Sequence, residues 1–326
     1  MASPTRPPLV DNFVLAIMGV AVLASIFPAS GSFADAVSIV TKIAIAVLFF
    51  LYGSRLSPQE AWAGLAHWRL HVVTLAATYV MFPLLGLALV VTSPTLIPEG
   101  LYSGLLFLCL VPSTVQSSIV FTSIARGNVA GAVVSASISN LLGVFITPLL
   151  VIALMNTTGQ ASVDAESIID IIVQLLLPFL LGQMLRPWIK DIVSTYSKQT
   201  KVVDRGSILL VVYSAFSTSV TEGVWHELSL WRILALIAIC AALLAVVLVA
   251  TWFGGKLLGF ERADRIVIVF AGSKKSLASG LPMASVLFAG SPIGMIVLPL
   301  MIFHQIQLIV CAVLAQRWER SAGRAS

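Results

Sequence analysis

Apolar runs of about twenty residues recur along almost the whole chain, near 13–30, 36–53, 70–92, 101–124, 129–155, 167–188, 202–222, 230–254, 264–289 and 291–315. A helix crossing the hydrocarbon of a bilayer needs roughly 20 apolar residues. Inside hydrocarbon each backbone N–H and C=O must find its partner within the protein, which a helix does by itself. The ten runs therefore predict an all-α polytopic membrane protein with ten transmembrane helices. Composition agrees: 59% of the 326 residues are hydrophobic and 10% charged, where a soluble domain carries roughly a quarter charged residues. The run at 13–30 follows a single basic residue, Arg6, with no small-residue cleavage pattern, and reads as a retained helix.

The net charge of +5 does not point to nucleic acid, because the basic residues fall in short connections rather than along one face. Alternate connections carry Arg6; Arg55 and Arg69; Arg126; Arg186, Lys190, Lys198, Lys201 and Arg205; Lys256, Arg262 and Arg265; and Arg317, Arg320 and Arg324. These are fifteen of the nineteen basic residues. The other connections carry Asp35, Glu99, Asp164, Glu166, Asp170, Glu222 and Glu227, with Arg232 at a helix edge. The positive-inside rule then places both termini in the cytoplasm of a multi-pass protein of the plasma (inner) membrane.

Five helices per half is an odd number, so two equivalent halves would lie in opposite orientations. The halves 1–160 and 161–326 share weak marks. Thr147-Pro148-Leu149-Leu150 in the fifth run answers Leu298-Pro299-Leu300-Met301 in the tenth. Ala125-Arg126-Gly127-Asn128 before the fifth answers Phe288-Ala289-Gly290-Ser291 before the tenth. The polar interruptions also correspond, in the fourth and ninth runs. Together these marks predict two inverted five-helix repeats, an architecture that places solute sites near the midplane at interrupted helices.

The fourth run reads Pro112-Ser113-Thr114-Val115-Gln116-Ser117-Ser118. Pro112 removes a helical donor and frees a carbonyl; the hydroxyls and the Gln116 amide can serve freed backbone or a solute. The ninth reads Gly272-Ser273-Lys274-Lys275-Ser276-Leu277-Ala278-Ser279-Gly280-Leu281-Pro282. Gly272, Gly280 and Pro282 predict a helix break. Two lysines at mid-span cost about 2.5–3.5 kcal/mol each on insertion scales. Neighbours point about 100° apart on a helix, so one can face a cavity while the other meets backbone carbonyls. The lysines either handle solute or ion, or only neutralise the carbonyl ends of half-helices. Ser135, Ser137, Ser139 and Asn140 on the fifth run, and His304, Gln305 and Gln307 on the tenth, complete the polar set. His304 within a span either carries a proton or packs and hydrogen-bonds between helices, the second being the favoured reading.

Enzyme chemistry finds no support. No nucleophile elbow or glycine-rich phosphate loop appears. His67 and His71 are four apart but lack the intervening Glu of a zinc-protease helix, and read as interfacial. Cys109, Cys240 and Cys311 sit singly in apolar runs and read as small buried residues. No cofactor is expected.

Three motifs carry a family resemblance: Pro112-Ser-Thr-Val-Gln-Ser-Ser118, Ala125-Arg-Gly-Asn128, and Gly272-Ser-Lys-Lys-Ser-Leu-Ala-Ser-Gly-Leu-Pro282. At these residues the chain resembles the bile acid:sodium symporter superfamily, in the sodium/bile acid cotransporter-like, member-seven-type branch. The resemblance covers nearly the whole chain. It implies a core and a panel domain, with two unwound helices crossing in the core and ions beside the crossing. It also implies alternating access for a small organic solute, here an organic anion, with Na+ or H+ as coupling ion. On this resemblance Ser117 and Ser118 stand at sodium-ligand positions, and Thr78 at a third-helix position. Ala132 and Ala136 stand on the fifth helix where hydroxyls are expected. The ninth helix departs from the pattern: Ser273, Lys274 and Lys275 replace an acidic residue and a Gln-Asn pair. Two unit charges about 4 Å apart interact by roughly 4 kcal/mol at an effective dielectric near 20, so a lysine opposes sodium there and can stand in as a fixed cation. The alternative reading is a sensor that keeps a transporter fold without moving solute, since fold does not fix function.

Overall fold

The structure is a computed structural model; it describes residues 12–55, 67–93, 96–155, 169–221, 223, 229–289, 291 and 293–322. The described residues are helical, with short turns and no strand. In chain order the helices are α1 (Asn12–Ile26), α2 (Gly31–Arg55), α3 (Trp68–Thr92), α4 (Glu99–Leu110), α5 (Gln116–Ile124) and α6 (Val129–Met155). They continue as α7 (Ile169–Thr195), α8 (Ser197–Thr221), α9 (Leu230–Leu257), α10 (Arg262–Gly272), α11 (Leu277–Leu287) and α12 (Ile293–Ala322). Six of them, α2, α3, α6, α7, α9 and α12, are long and apolar enough to cross a membrane. The boundary between the expected halves, at 160 and 161, lies outside the described residues, as do Arg6, Asp164, Glu166, Glu222, Glu227, Gly290 and Arg324.

The outer surface is apolar where a soluble protein would be charged. On α9, Leu234, Val246, Val249 and Phe253 are exposed; on α7, Leu180, Leu181 and Met184 are. A helix apolar on its outer face has lipid as its solvent. The chain is a multi-pass integral membrane protein.

Helices α1, α2, α7 and α8 pack mainly on one another, and α3–α6 with α9–α12 form the other group. In the first group α2 and α7 approach at paired glycines. A Cβ on Gly53 would lie 2.1 Å from the Phe179 carbonyl oxygen, and one on Gly182 would lie 2.1 Å from that of Phe50. Small residues at such contacts let membrane helices close up for want of a hydrophobic drive between them. Arg55 of α2 hydrogen-bonds Asp204 of α8 in the same group.

The second group holds the two helix interruptions. The fourth run is broken over 111–115, between α4 and α5, and the ninth over 273–276, between α10 and α11. The second break falls upstream of where Gly280 and Pro282 predicted it. Both residues lie inside α11. The Ser276 hydroxyl caps that helix by accepting from Ser279 N–H at 3.2 Å, which sets its start. Gly280 has a packing role instead, because a Cβ there would meet Leu300 at 2.5 Å. Gly272, the last residue of α10, does border the break.

Candidate functional site

The two breaks lie against each other, and the carbonyls from Cys109 to Thr114 that the first break releases all find partners. Just past α4, Pro112 offers no donor, and Ser113 N–H turns away to the Ser139 hydroxyl (3.1 Å). The carbonyls left over find partners on other elements. Lys275 Nζ donates to Cys109 O and Val111 O, each at 2.9 Å. Thr147 Oγ1 donates to Leu110 O (2.9 Å), Ser276 N–H to Pro112 O (2.8 Å), and Asn140 Nδ2 to Ser113 O (2.6 Å). Ser118 Oγ serves Thr114 O (2.6 Å). An unpaired backbone group in hydrocarbon costs several kcal/mol, so an irregular segment at this depth requires such a set.

The carbonyl end of α10 is met from the first break. Ser113 Oγ donates to Ala271 O (2.6 Å) and Ser118 Oγ lies 2.8 Å from Phe270 O. Thr114 and Ser117 share a hydroxyl–hydroxyl bond of 2.7 Å. Gln307 of α12 clasps the main chain of Lys275: its Oε1 accepts from Lys275 N–H and its Nε2 donates to Lys275 O, both at 2.9 Å. The same Nε2 lies 2.8 Å from His304 Nδ1, so His304 is tied into the crossing between helices.

The two adjacent lysines are equally buried and differently served. The Lys275 ammonium has three carbonyl acceptors, the third being Thr78 O at 3.0 Å, and sits over the Phe82 ring at 4.1 Å. Thr78 O is free for a local reason. The α3 segment Ala77–Met81 is a wide turn that closes Phe82 N–H onto Ala77 O, and Pro83 supplies no N–H. The Thr78 hydroxyl bonds back to Thr74 O (3.0 Å), so Thr78 enters the crossing through its main chain. The Lys274 amine has no hydrogen-bond acceptor and meets the faces of Phe121 (3.8 Å) and Phe270 (5.4 Å). Ser273 Oγ is likewise buried without a partner.

Of the residues expected at the site, Ser113, Thr114, Ser117, Ser118, Ser273, Lys274, Lys275, Ser276 and Thr78 lie at the crossing. Gln116 opens α5 and is exposed, with Val115 beside it exposed and Ser117 half-buried. Ser135 is turned elsewhere, to His71 Nδ1 at 2.7 Å. His71 is buried in the first turn of α3, while His67 is exposed. Ser137 is half-buried on α6 outside the bonds above. The Ala125-Arg-Gly-Asn128 turn is a joint. Arg126 takes φ +56°, Asn128 Oδ1 caps α6 at Gly131 N–H (2.9 Å), and Asn128 Nδ2 holds Asp264 of α10 (2.8 Å). Ser139, Asn140 and Gln307, read from the sequence as part of the polar set of the fifth and tenth runs, bond to the breaks, and Thr147 and Ser279, which the sequence did not single out, join them. Their signal was a polar side chain at mid-span, which alone does not distinguish support of a break from contact with a solute.

The described residues contain no group of three or more His, Cys, Asp or Glu side chains able to hold a metal ion. The oxygens at the crossing are hydroxyls and carbonyls.

Residues 11–320 match the family described as the SBF-like CPA transporter family. The chain is 55% identical to a Pseudomonas aeruginosa protein over 96% of its own length and 94% of that protein's. It is 51% identical to the putative symporter YfeH of Escherichia coli (strain K12), again over 96% and 94%. To the sodium/bile acid cotransporter 7 of Rattus norvegicus it is 30% identical over 84% of this chain and 82% of that one. With a match across nearly all of its length, the chain belongs to the SBF-like CPA transporter family.

Proposed function

We propose that the protein is a secondary transporter of a small organic anion, working by alternating access at the crossing of the two broken helices. The observation that carries this reading is the crossing itself: two interruptions, mutually hydrogen-bonded, with polar residues reaching an exposed edge at Val115 and Gln116. Irregular backbone in a membrane protein is tolerated where it lines a solute pathway. Counted with each broken pair as one span, the helices make ten. In this reading they form two inverted repeats, with α1, α2, α7 and α8 as the panel and the rest as the core. Both termini are cytoplasmic and the protein sits in the plasma (inner) membrane.

An anion is favoured by the charges at the crossing. The N-terminal ends of α5 and α11, each worth about half a positive charge, begin here at Gln116 and Leu277 and offset the carbonyl ends of α4 and α10, so the two lysines set the sign. The Lys274 amine lies nearby with no hydrogen-bond acceptor. Solute would meet Gln116, Ser117, Thr114 and the residues that opening exposes behind them, Ser113, Ser118, Ser273, Lys274 and Ser276. The relatives' printed names, a putative symporter and a sodium/bile acid cotransporter, support a coupled carrier of this kind.

The test is flux of candidate organic anions in proteoliposomes, with sodium and proton gradients imposed separately. Uptake should follow an imposed gradient and be lost in the Lys274→Ala/Lys275→Ala double variant. Uptake unchanged in the double variant would remove the crossing from the mechanism. Saturable binding with no flux under either gradient would replace the transporter with a sensor.

A further inference from the structure

Lys275 sits where a bound cation would otherwise be needed. Its Nζ lies 2.9, 2.9 and 3.0 Å from Cys109 O, Val111 O and Thr78 O. All three are backbone acceptors with no hydrogen to offer. A neutral amine has two N–H groups and an ammonium three; three acceptors and no donor therefore select the ammonium. The three oxygens come from two sources that cannot satisfy themselves. Cys109 and Val111 belong to the end of α4, where the helix dipole leaves partial negative charge. Thr78 is orphaned by the wide turn of α3 and the missing N–H of Pro83. Convergent carbonyls at a half-helix C-terminus are the chemistry that membrane transporters use to hold a small monovalent cation.

We infer that this carbonyl cage is a monovalent-cation site permanently filled by the protein's own ammonium, so that folding at the crossing needs no sodium and the cage becomes a sodium- or ammonium-binding site only when the Lys275 side chain is removed. Two further observations fit the assignment. The Lys275 main chain is clamped on both sides by Gln307 (2.9 Å twice), which fixes the root of the side chain so that its ammonium returns to one place. Lys274, equally buried and one residue away, has no carbonyl acceptor at all; burial of a lysine in this segment does not by itself produce a cage. The inference concerns the site's architecture and rests on the crossing described above. Its test does not read transport, so it can fail while the transporter reading stands, and the reverse.

The experiment is thermal unfolding of the purified full chain in detergent, in sodium, potassium, ammonium and choline chloride at equal ionic strength. The wild type should melt at the same temperature in all four salts. Lys275→Ala should melt lower in choline chloride and climb with rising sodium or ammonium chloride, since the small cation re-enters the emptied cage. Lys275→Met, which fills the space without a donor, should be destabilised and show no cation-specific recovery. Sodium-specific stabilisation of the wild type that is lost in Lys275→Met would overturn the inference, because the cage itself would then be taking sodium. So would a folded Lys275→Ala whose melting temperature ignores the cation. Should Lys275→Ala fold only when made in sodium or ammonium buffer, the inference is supported; should it fold in no buffer while Lys275→Met folds, the cage does not accept a free cation and the inference fails.

Discussion

Replacing Gln307 by leucine should destabilise the protein far more than its place among apolar neighbours suggests. Gln307 is fully buried, and its amide makes two main-chain bonds to one residue, accepting from Lys275 N–H and donating to Lys275 O at 2.9 Å each. Leucine keeps the volume roughly and removes both partners. Each buried backbone group left unsatisfied costs about 1–3 kcal/mol, so two predict a loss of about 2–6 kcal/mol. One compensation is built in. His304 Nδ1 lies 3.3 Å from the same Lys275 carbonyl and, once Gln307 no longer donates to it, can carry the proton and take over that bond. Gln307→Leu alone should then fall near the low end of the range, and Gln307→Leu with His304→Ala near the high end. The assay is equilibrium unfolding in mixed detergent–SDS micelles, with Gln305→Leu as the control. Gln305 is only half-buried and reaches no closer than 4.0 Å to its partner, the Met18 thioether, so its loss should cost less than about 1 kcal/mol. If Gln307→Leu is indistinguishable from Gln305→Leu, the break in the ninth span is not held by its backbone bonds, and the crossing owes its shape to something else.

Lys274→Met should leave stability unchanged or raised, since the amine makes no hydrogen bond that the thioether would lose and the aromatic faces of Phe121 and Phe270 accept an apolar group; the same melting assay applied beside Lys275→Met checks the contrast, and organic-anion flux should fall in Lys274→Met. Asn128→Ala removes the cap on α6 and the bond to Asp264; a loss of about 1–3 kcal/mol is expected, measured by unfolding, and Asn128→Asp should keep the cap yet set two carboxylates together and recover little. Gly53→Leu should abolish assembly of α2 on α7, because even a Cβ would sit 2.1 Å from Phe179 O; yield of monodisperse protein on size exclusion is the readout, and Gly19→Leu, on an open face, is the control that should purify normally.

How much of this was readable in the sequence follows from the range of the signals involved. Spans are local: a run of apolar residues reports its own helix, and the runs at 36–53, 70–92, 129–155, 167–188, 230–254 and 291–315 correspond to the six helices long and apolar enough to cross a membrane. The breaks were also locally marked, by Pro112 and by the polar run from Ser273 to Ser276. Their exact place was not. Pro282 signals a missing donor, but a helix of eleven residues absorbs it, and the break moved to Ser276 because that hydroxyl caps α11. The partners of the breaks were least legible. Thr147 read as one polar residue in an apolar helix, and Asn140 and Gln307 as members of a polar set with no partner indicated. What makes them supports is the carbonyl opposite, more than thirty residues away for Thr147 and Gln307 and nearly as far for Asn140. The division of labour between Lys274 and Lys275 was invisible for the same reason. It depends on a carbonyl orphaned by a wide turn in α3, around two hundred residues upstream.

The bonding pattern also bears on how such a crossing can move. The partners that satisfy the two breaks, on α3, α6, α10, α11 and α12, all lie in one helix group, so that group can shift as a body without stranding a buried carbonyl. The facing group is tied within itself in the same way, by Arg55 to Asp204, by Tyr213 to Phe27 O (2.9 Å) and by the glycine contact of α2 and α7. Between the groups stand apolar contacts such as Phe145 edge-on to Phe179 at 5.9 Å, with Gly294 N–H to Ser219 Oγ (2.9 Å) as a polar tie. Apolar surfaces slide at small cost because the dispersion attraction given up at one register returns at the next, whereas each broken carbonyl bond in the crossing would cost several kcal/mol. The cheap motion is therefore one group against the other, with the crossing carried intact. Ser219→Ala removes the polar tie and should favour that motion, seen as a faster exchange between conformers reported by spin labels placed on α8 and α12; an unchanged rate would put the hinge elsewhere.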